Sequence, residues 1–146
     1  MTTANIYLNF RGNCEEAFSF YQSVLGGEIP YVSRYKDIPA EDGNSPNLAD
    51  AQKILHISLP VSNETVLMGS DVVGEHAAGF IEGNNFSISI NTGSREKADL
   101  IFNGLSKGGK VTMPMNETFW GAYFGMLTDR FGINWMVSFD LKNAKG

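Results

Sequence analysis

From Asn5 to Phe10 apolar and polar residues alternate, Ile6, Leu8 and Phe10 against Asn5, Tyr7 and Asn9, which is the two-residue period of a strand with one buried face. The period then lengthens. Ala17, Tyr21, Val24 and Leu25 recur at helical spacing, with Asn13 placed to cap the helix, Glu16 to complete a capping box, and Gly26 to stop it. Residues 85 to 112 repeat the sequence of events: Phe86, Ile88 and Ile90 alternate, Ser94 is placed as a cap, Ala98, Ile101 and Leu105 form a stripe, and Gly108 ends it. Asn5 corresponds to Asn85, Ala17 to Ala98, and Gly26-Gly27 to Gly108-Gly109. Strand-like runs follow each helix, at 29–35, 54–61 and 65–70 in the first copy and at 110–115, 122–128 and 133–139 in the second. The order is βαβββ twice, an α+β pattern in which each helix must cover a sheet. Residues 36–53, rich in Pro, Asp, Asn and Gly, predict a long loop, and 71–84 a linker between modules at about 4–71 and 84–140 of one domain, 1–146.

Composition adds exclusions. The 146 residues carry 16 acidic and 11 basic side chains, a net charge of -5, which argues against a partner bound through phosphate neutralisation, nucleic acid included, and against an anionic membrane surface. Cys14 is the one cysteine, so neither an internal disulfide nor a cysteine cage for zinc is available. The opening MTTANIYLNF is not a secretory signal, and no stretch approaches the roughly 20 apolar residues of a membrane span; a cytoplasmic protein is expected.

The stretches YLNFRGNCEEAFSFYQSVLGGE (7–28), LMGSD (67–71), NNFSISI (84–90) and FWGAYFGMLTDRFGINWMV (119–137) resemble the glyoxalase, or vicinal-oxygen-chelate, superfamily, and within it the PhnB-like branch. The resemblance implies two βαβββ modules forming a curled mixed sheet around a cleft, the glyoxalase/bleomycin-resistance-like fold. That branch has also been labelled 3-demethylubiquinone methyltransferase-like. No glycine-rich strand-to-helix turn with a downstream acid supports that label here.

In the superfamily a divalent metal sits on the concave face, held by up to four side chains. The resemblance maps Asn5 and Asn85 onto His or Gln positions, Met136 onto the acidic ligand, and Leu67 onto its counterpart in the first module. Two amides, a thioether and an alkyl chain bind zinc, nickel or iron poorly, so no metal and no cofactor are expected. Alternation turns Asn5, Tyr7 and Asn9 toward the cleft, and likewise Asn85, Ser87 and Ser89.

His56, between Leu55 and Ile57 in a run whose Leu55, Ile57 and Leu59 belong to the helix side, is the candidate base or hydrogen-bond donor, or else a half-buried histidine bonded to a backbone carbonyl. His76 near Asp71 and Glu75 reads as a solvated loop, lacking the spacing of a helical metal motif. Cys14 in a first helical turn is either a lowered-pKa thiol or an ordinary first-turn residue. Trp120, Tyr123, Phe124 and Trp135 supply aromatic surface; Trp120, following a turn, is the pocket candidate, and Trp135 suits a core or a dimer interface. Asp129, Phe131 and Gly132 read as a hairpin turn. Arg11 alone near the first strand offers no arginine cluster for a phosphonate.

The function expected is binding of a small-molecule ligand in a metal-free cleft, by a homodimer as the resemblance implies, with catalysis left open. The alternative is a metal-dependent lyase, dioxygenase or antibiotic-resistance enzyme of the same superfamily. The ligand's identity is not encoded in any motif.

Overall fold

A computed structural model describes residues 2–38 and 48–142. Part of the long loop expected at 36–53, residues 39–47, lies outside the described residues. The first module runs β1 (Ile6–Phe10), α1 (Cys14–Leu25), β2 (Tyr31–Arg34), a 3-10 turn (Tyr35–Asp37), β3 (Ile54–Pro60) and β4 (Val66–Asp71). A five-residue helix, α2 (Gly74–Ala78), forms in the expected linker. The second module runs β5 (Ile88–Asn91), α3 (Arg95–Leu105), β6 (Lys110–Glu117), β7 (Ala122–Thr128) and β8 (Asn134–Asp140). The chain divides into two compact units between Ile81 and Glu82. The βαβββ order is present twice, and each module carries one four-stranded mixed sheet, ordered β1-β4-β3-β2 and β5-β8-β7-β6, with its first strand parallel to its last.

In each module the helix covers one face of the sheet. Cys14, Ala17, Phe18 and Tyr21 of α1 pack against Leu8, Phe10, Ile57, Leu59 and Leu67, all buried; Val24 and Leu25, expected in this stripe, are only half-buried because the contact lies one turn earlier. In α3, Ala98, Ile101, Phe102 and Leu105 meet Ile88, Leu127, Trp135 and Val137. The same device recurs in both. A Cβ on Gly69 of β4 would lie 2.6 Å from the Phe18 ring, and one on Gly125 of β7 would lie 2.8 Å from that of Phe102, so a glycine lets each phenylalanine lie against the strand.

The alternation holds in β1, where Leu8 and Phe10 are buried and Tyr7 and Asn9 exposed. Three other expectations do not hold. Leu55 is not a helix-side residue: Arg34 pairs with Ile54 and Ser33 with His56, so Leu55 is the bulged residue and Ile54 takes its place in the core. Phe86 precedes β5 and is exposed, as is Asn85, while Ser87 is half-buried. By register Phe86 would lie opposite Ile133, whose N–H goes to the Asp129 carboxylate (3.0 Å) and whose carbonyl takes the Asp129 N–H (2.8 Å) on the β7 side. Leu67, expected on the open face, is buried at 2%; its neighbour Met68 faces outward, paired with Tyr7.

The capping of the helices also divides. Ser94 accepts from the Lys97 N–H at 3.1 Å as expected, although α3 ends at Leu105, three residues before Gly108, through turns closed by Ser106. The Asn13 side chain makes no capping bond. Its work falls to Asp71, at the far end of β4, whose Oδ1 accepts from the N–H groups of Gly12 and Cys14, both 2.9 Å, while Oδ2 accepts from the Ile54 N–H at 2.8 Å. The Asp71 carbonyl takes the Tyr35 hydroxyl at 2.7 Å. Among the described residues the other buried carboxylate is Asp129, which accepts from Phe131 N–H (2.8 Å), Ile133 N–H and Trp135 Nε1 (2.8 Å) and so shapes the turn between β7 and β8.

Two outcomes follow from this core. Asp71→Ala strands three amides and should destabilise by about 3 kcal/mol or more in urea unfolding, since each unsatisfied buried donor costs roughly 1–3 kcal/mol, whereas Asn13→Ala should cost under about 0.5 kcal/mol. Equal losses from the two would show that Asn13 is the cap after all. Cys14 is fully buried, and burial first, then the Asp71 and Glu15 carboxylates, push its thiol far above its ordinary range. It should therefore resist a thiol reagent at pH 8 in the native protein and react at once in denaturant; rapid native labelling would mean that the first turn of α1 opens.

Candidate functional site

The face of each sheet opposite its helix carries the chemistry. In the first module, register builds a row Tyr7–Met68–Ser58–Tyr31 across all four strands, with Ser33 paired to His56 beside it. His56 is half-buried there. Its Nδ1 lies 3.3 Å from Tyr7 Oη, the hydroxyl donating when that nitrogen is unprotonated, and the Tyr7 and Tyr31 rings stand 5.6 and 5.8 Å from the imidazole. The Ser70 hydroxyl donates to Asn9 Oδ1 at 3.3 Å. The arrangement is an imidazole flanked by two phenol rings, edged by hydroxyls and an amide. Tyr31, Met68 and Ser70 were not singled out from the sequence, although the alternation of β2 and β4 carries them once the register is known.

Asn5 lies just before β1, and its Oδ1 accepts from the Val66 N–H at 3.3 Å, so it fastens the start of the β1–β4 ladder. Asn85 and Ser87 lie ahead of β5 and join no strand. Ser89 stays outward and pairs with Met136 on β8. The structure thus brings Tyr7 and His56 into contact and sets Asn9 on the same face, while Met136 belongs to the second sheet.

The second module holds an open cavity of about 480 Å³ at the end of its sheet, lined by Asn91, Trp120, Ser138, Asp140 and Lys142 among others. Trp120 stands over it, edge-to-face with Phe124 at 5.7 Å and with Phe119 at 5.1 Å. Gly121 turns the chain there at φ +88°, a value that excludes most side chains. Trp135, by contrast, is core, and Tyr123 packs on the helix side, donating to Asp99 at 2.5 Å under the Arg95 guanidinium.

His76 is exposed on α2. Among the described residues no three His, Cys, Asp or Glu side chains group as a metal site. The positions that the family resemblance assigns to metal ligands hold an amide already bonded to backbone (Asn5), an amide outside the sheet (Asn85), a thioether (Met136) and a core leucine (Leu67). That donor set does not fit a zinc, nickel, manganese or iron ion. No helix among the described residues is long and apolar enough to cross a membrane.

The fold has close counterparts. The chain is 30% identical over 138 residues to protein YjdN of Escherichia coli, covering 90% of this chain and 91% of that one. The crystal structure of PA1353 from Pseudomonas aeruginosa superposes with a TM-score of 0.83 at 39% identity, over 96% of this chain and 98% of that one. A PhnB protein of Bacillus cereus, described also as a 3-demethylubiquinone-9 3-methyltransferase, shares the fold at 24% identity and a TM-score of 0.74, over 94% and 99% of the two chains. A family profile covers residues 5–137, from the residue that fastens β1 to the middle of β8. The chain belongs to the Glyoxalase/Bleomycin resistance protein/Dioxygenase superfamily.

Proposed function

We propose that this is a PhnB-like member of the superfamily that binds a small planar organic molecule on the open face of its first sheet, without a resident divalent metal, and works as a homodimer in the cytoplasm. The observation that carries the reading is His56 set between Tyr7 and Tyr31, with Tyr7 Oη 3.3 Å from Nδ1. Two exposed phenol rings offer stacking surface, and an imidazole in their midst is a hydrogen-bond partner of either sense. Asn9, Ser58 and Ser70 add neutral polar groups at the margin, which favours an uncharged or singly charged aromatic ligand over a phosphonate. The fold shared with the Bacillus cereus PhnB protein supports the branch. Metal-free binding is supported by the donor set at the family's ligand positions, and self-association by edge strands β2 and β6 with Val32 and Val111 exposed.

A thermal-shift series with benzoate, phenol and indole, beside nickel, zinc and manganese chlorides, tests the binding. Aromatic probes should raise the Tm of the wild-type chain, a ligand at a hundred times its Kd adding about 2.7 kcal/mol, and His56→Ala should abolish the rise. Shifts confined to the metals would replace this reading by the metal-dependent enzyme. Light scattering at micromolar concentration should give twice the 16.0 kDa chain mass; a monomer would remove the homodimer.

A further inference from the structure

The second sheet's open face differs from the first in kind. Register aligns Ser89 with Met136, Met136 with Met126, and Met126 with Met113, so three methionines stand side by side on β8, β7 and β6. Their shared face is fixed on both sides. Trp135, Val137 and Leu127 are buried toward α3, which turns Met136 and Met126 the other way. In β6 the register shifts between Val111 and Met113 and again between Met113 and Asn116, so Met113 shares the face of Met126 although Val111 pairs with the core residue Leu127. Met115 goes to the opposite side, where a Cβ on Gly125 would lie 2.6 Å from its sulfur.

Cross-strand neighbours place their Cβ atoms about 5 Å apart, and methionine has three rotatable bonds beyond them, so three sulfurs can turn toward one point above the central Met126. Met136 and Met126 are half-buried and Met113 is 45% exposed, so the row opens to solvent at its β6 end. The row contains no carboxylate or imidazole, and its remaining member is the hydroxyl of Ser89. One bordering row runs Lys110, Thr128 and Asn134, with Thr128 donating to Asn134 at 2.6 Å and the Lys110 cation at its β6 end, and the other runs Asn116, Phe124, Ser138 and Asn91; neither brings a carboxylate that would favour a divalent ion. Uncharged, polarisable thioethers are poor ligands for borderline divalent ions and good ones for soft monovalent ions. The chain's net charge of -5 favours the approach of a cation.

We infer that Met113, Met126 and Met136 form a binding site for a soft monovalent metal ion of the copper(I) or silver(I) class. The site is independent of His56 and of whatever that face binds. Silver(I), added as the nitrate in chloride-free buffer to a Cys14→Ser chain so that the thiol cannot compete, is the probe. It should bind one ion per chain by calorimetry and raise Tm by roughly 5 °C or more at saturation, whereas nickel, zinc and manganese should not. Replacing the three methionines together by leucine, which nearly conserves volume, should remove the response, and His56→Ala should leave it intact. With carbon-13 methyl-labelled methionine, the signals of Met113, Met126 and Met136 should move on silver addition while those of Met68 and Met115 stay, a readout that needs no variant of the row to fold. Absence of silver binding, persistence of the response in the triple leucine variant, or movement of Met68 or Met115 in place of the three would each overturn the site.

Discussion

A carboxylate buried to 2% exposure at the end of β4 organises the first module. Asp71 cannot remain there without partners, because a buried carboxylate is tolerated only when its oxygens are hydrogen-bonded. It takes N–H groups from the turn between β1 and α1 and from the first residue of β3, and its carbonyl takes a hydroxyl from the 3-10 turn after β2. Every strand of the sheet and the helix are thereby referred to one residue. The register of β4 against β1 and β3 sends Leu67 and Gly69 to the helix and Met68 and Ser70 to the open side. Tyr7 and His56 meet as a consequence. A slip of β4 by one residue would exchange the faces and put Leu67 on the open side beside Tyr7 and His56.

The second module reaches the same architecture with a different anchor. Asp129 lies just beyond β7, and its bonds to Phe131, Ile133 and the Trp135 indole shape the β7–β8 turn and fix a core side chain together. Its first strand is also the shorter, four residues against five. On their helix sides the two modules have stayed alike, each seating a phenylalanine over a glycine. On their open sides they have parted, one toward phenol rings and an imidazole, the other toward thioethers. Packing against a helix constrains volume and tolerates little change, whereas the opposite face is constrained mainly by what it touches, so divergence accumulates there.

What could be read from the sequence follows the range of the interactions involved. The tandem βαβββ order, the Ser94 cap, the 122–128 strand and the outward direction of Tyr7 and Asn9 depend on neighbours a few residues apart, and all were legible. The cap of α1 was not, because the acceptor is Asp71, 57 residues away, and the local candidate Asn13 has the right chemistry in an unused position. Leu55 was misread because a bulge in the β2–β3 pairing is invisible to simple alternation, and Leu67 because its placement was carried over from Met136 of the other module rather than read from the alternation of β4. The methionine row was hidden for the same reason. Met113 and Met115 sit two apart, as residues of one face should, and only the register shifts of β6 around Pro114 separate them.

The two open faces also differ in how firmly they hold their groups, and this bears on the ligands that suit them. The Tyr7 ring is held by contact with His56, and phenol and imidazole rings have few rotatable bonds, so binding there costs little ordering entropy and selects by shape. Three methionines in a row are the opposite case, with flexible stems whose ordering must be offset by the strength of the contact formed. A weakly held apolar ligand offers little to offset it, whereas bonds from sulfur to a soft cation are strong and converge on a single point. The sheet that carries rigid rings is therefore suited to recognising an organic molecule by its outline, and the sheet that carries thioethers to a metal ion that supplies its own geometry.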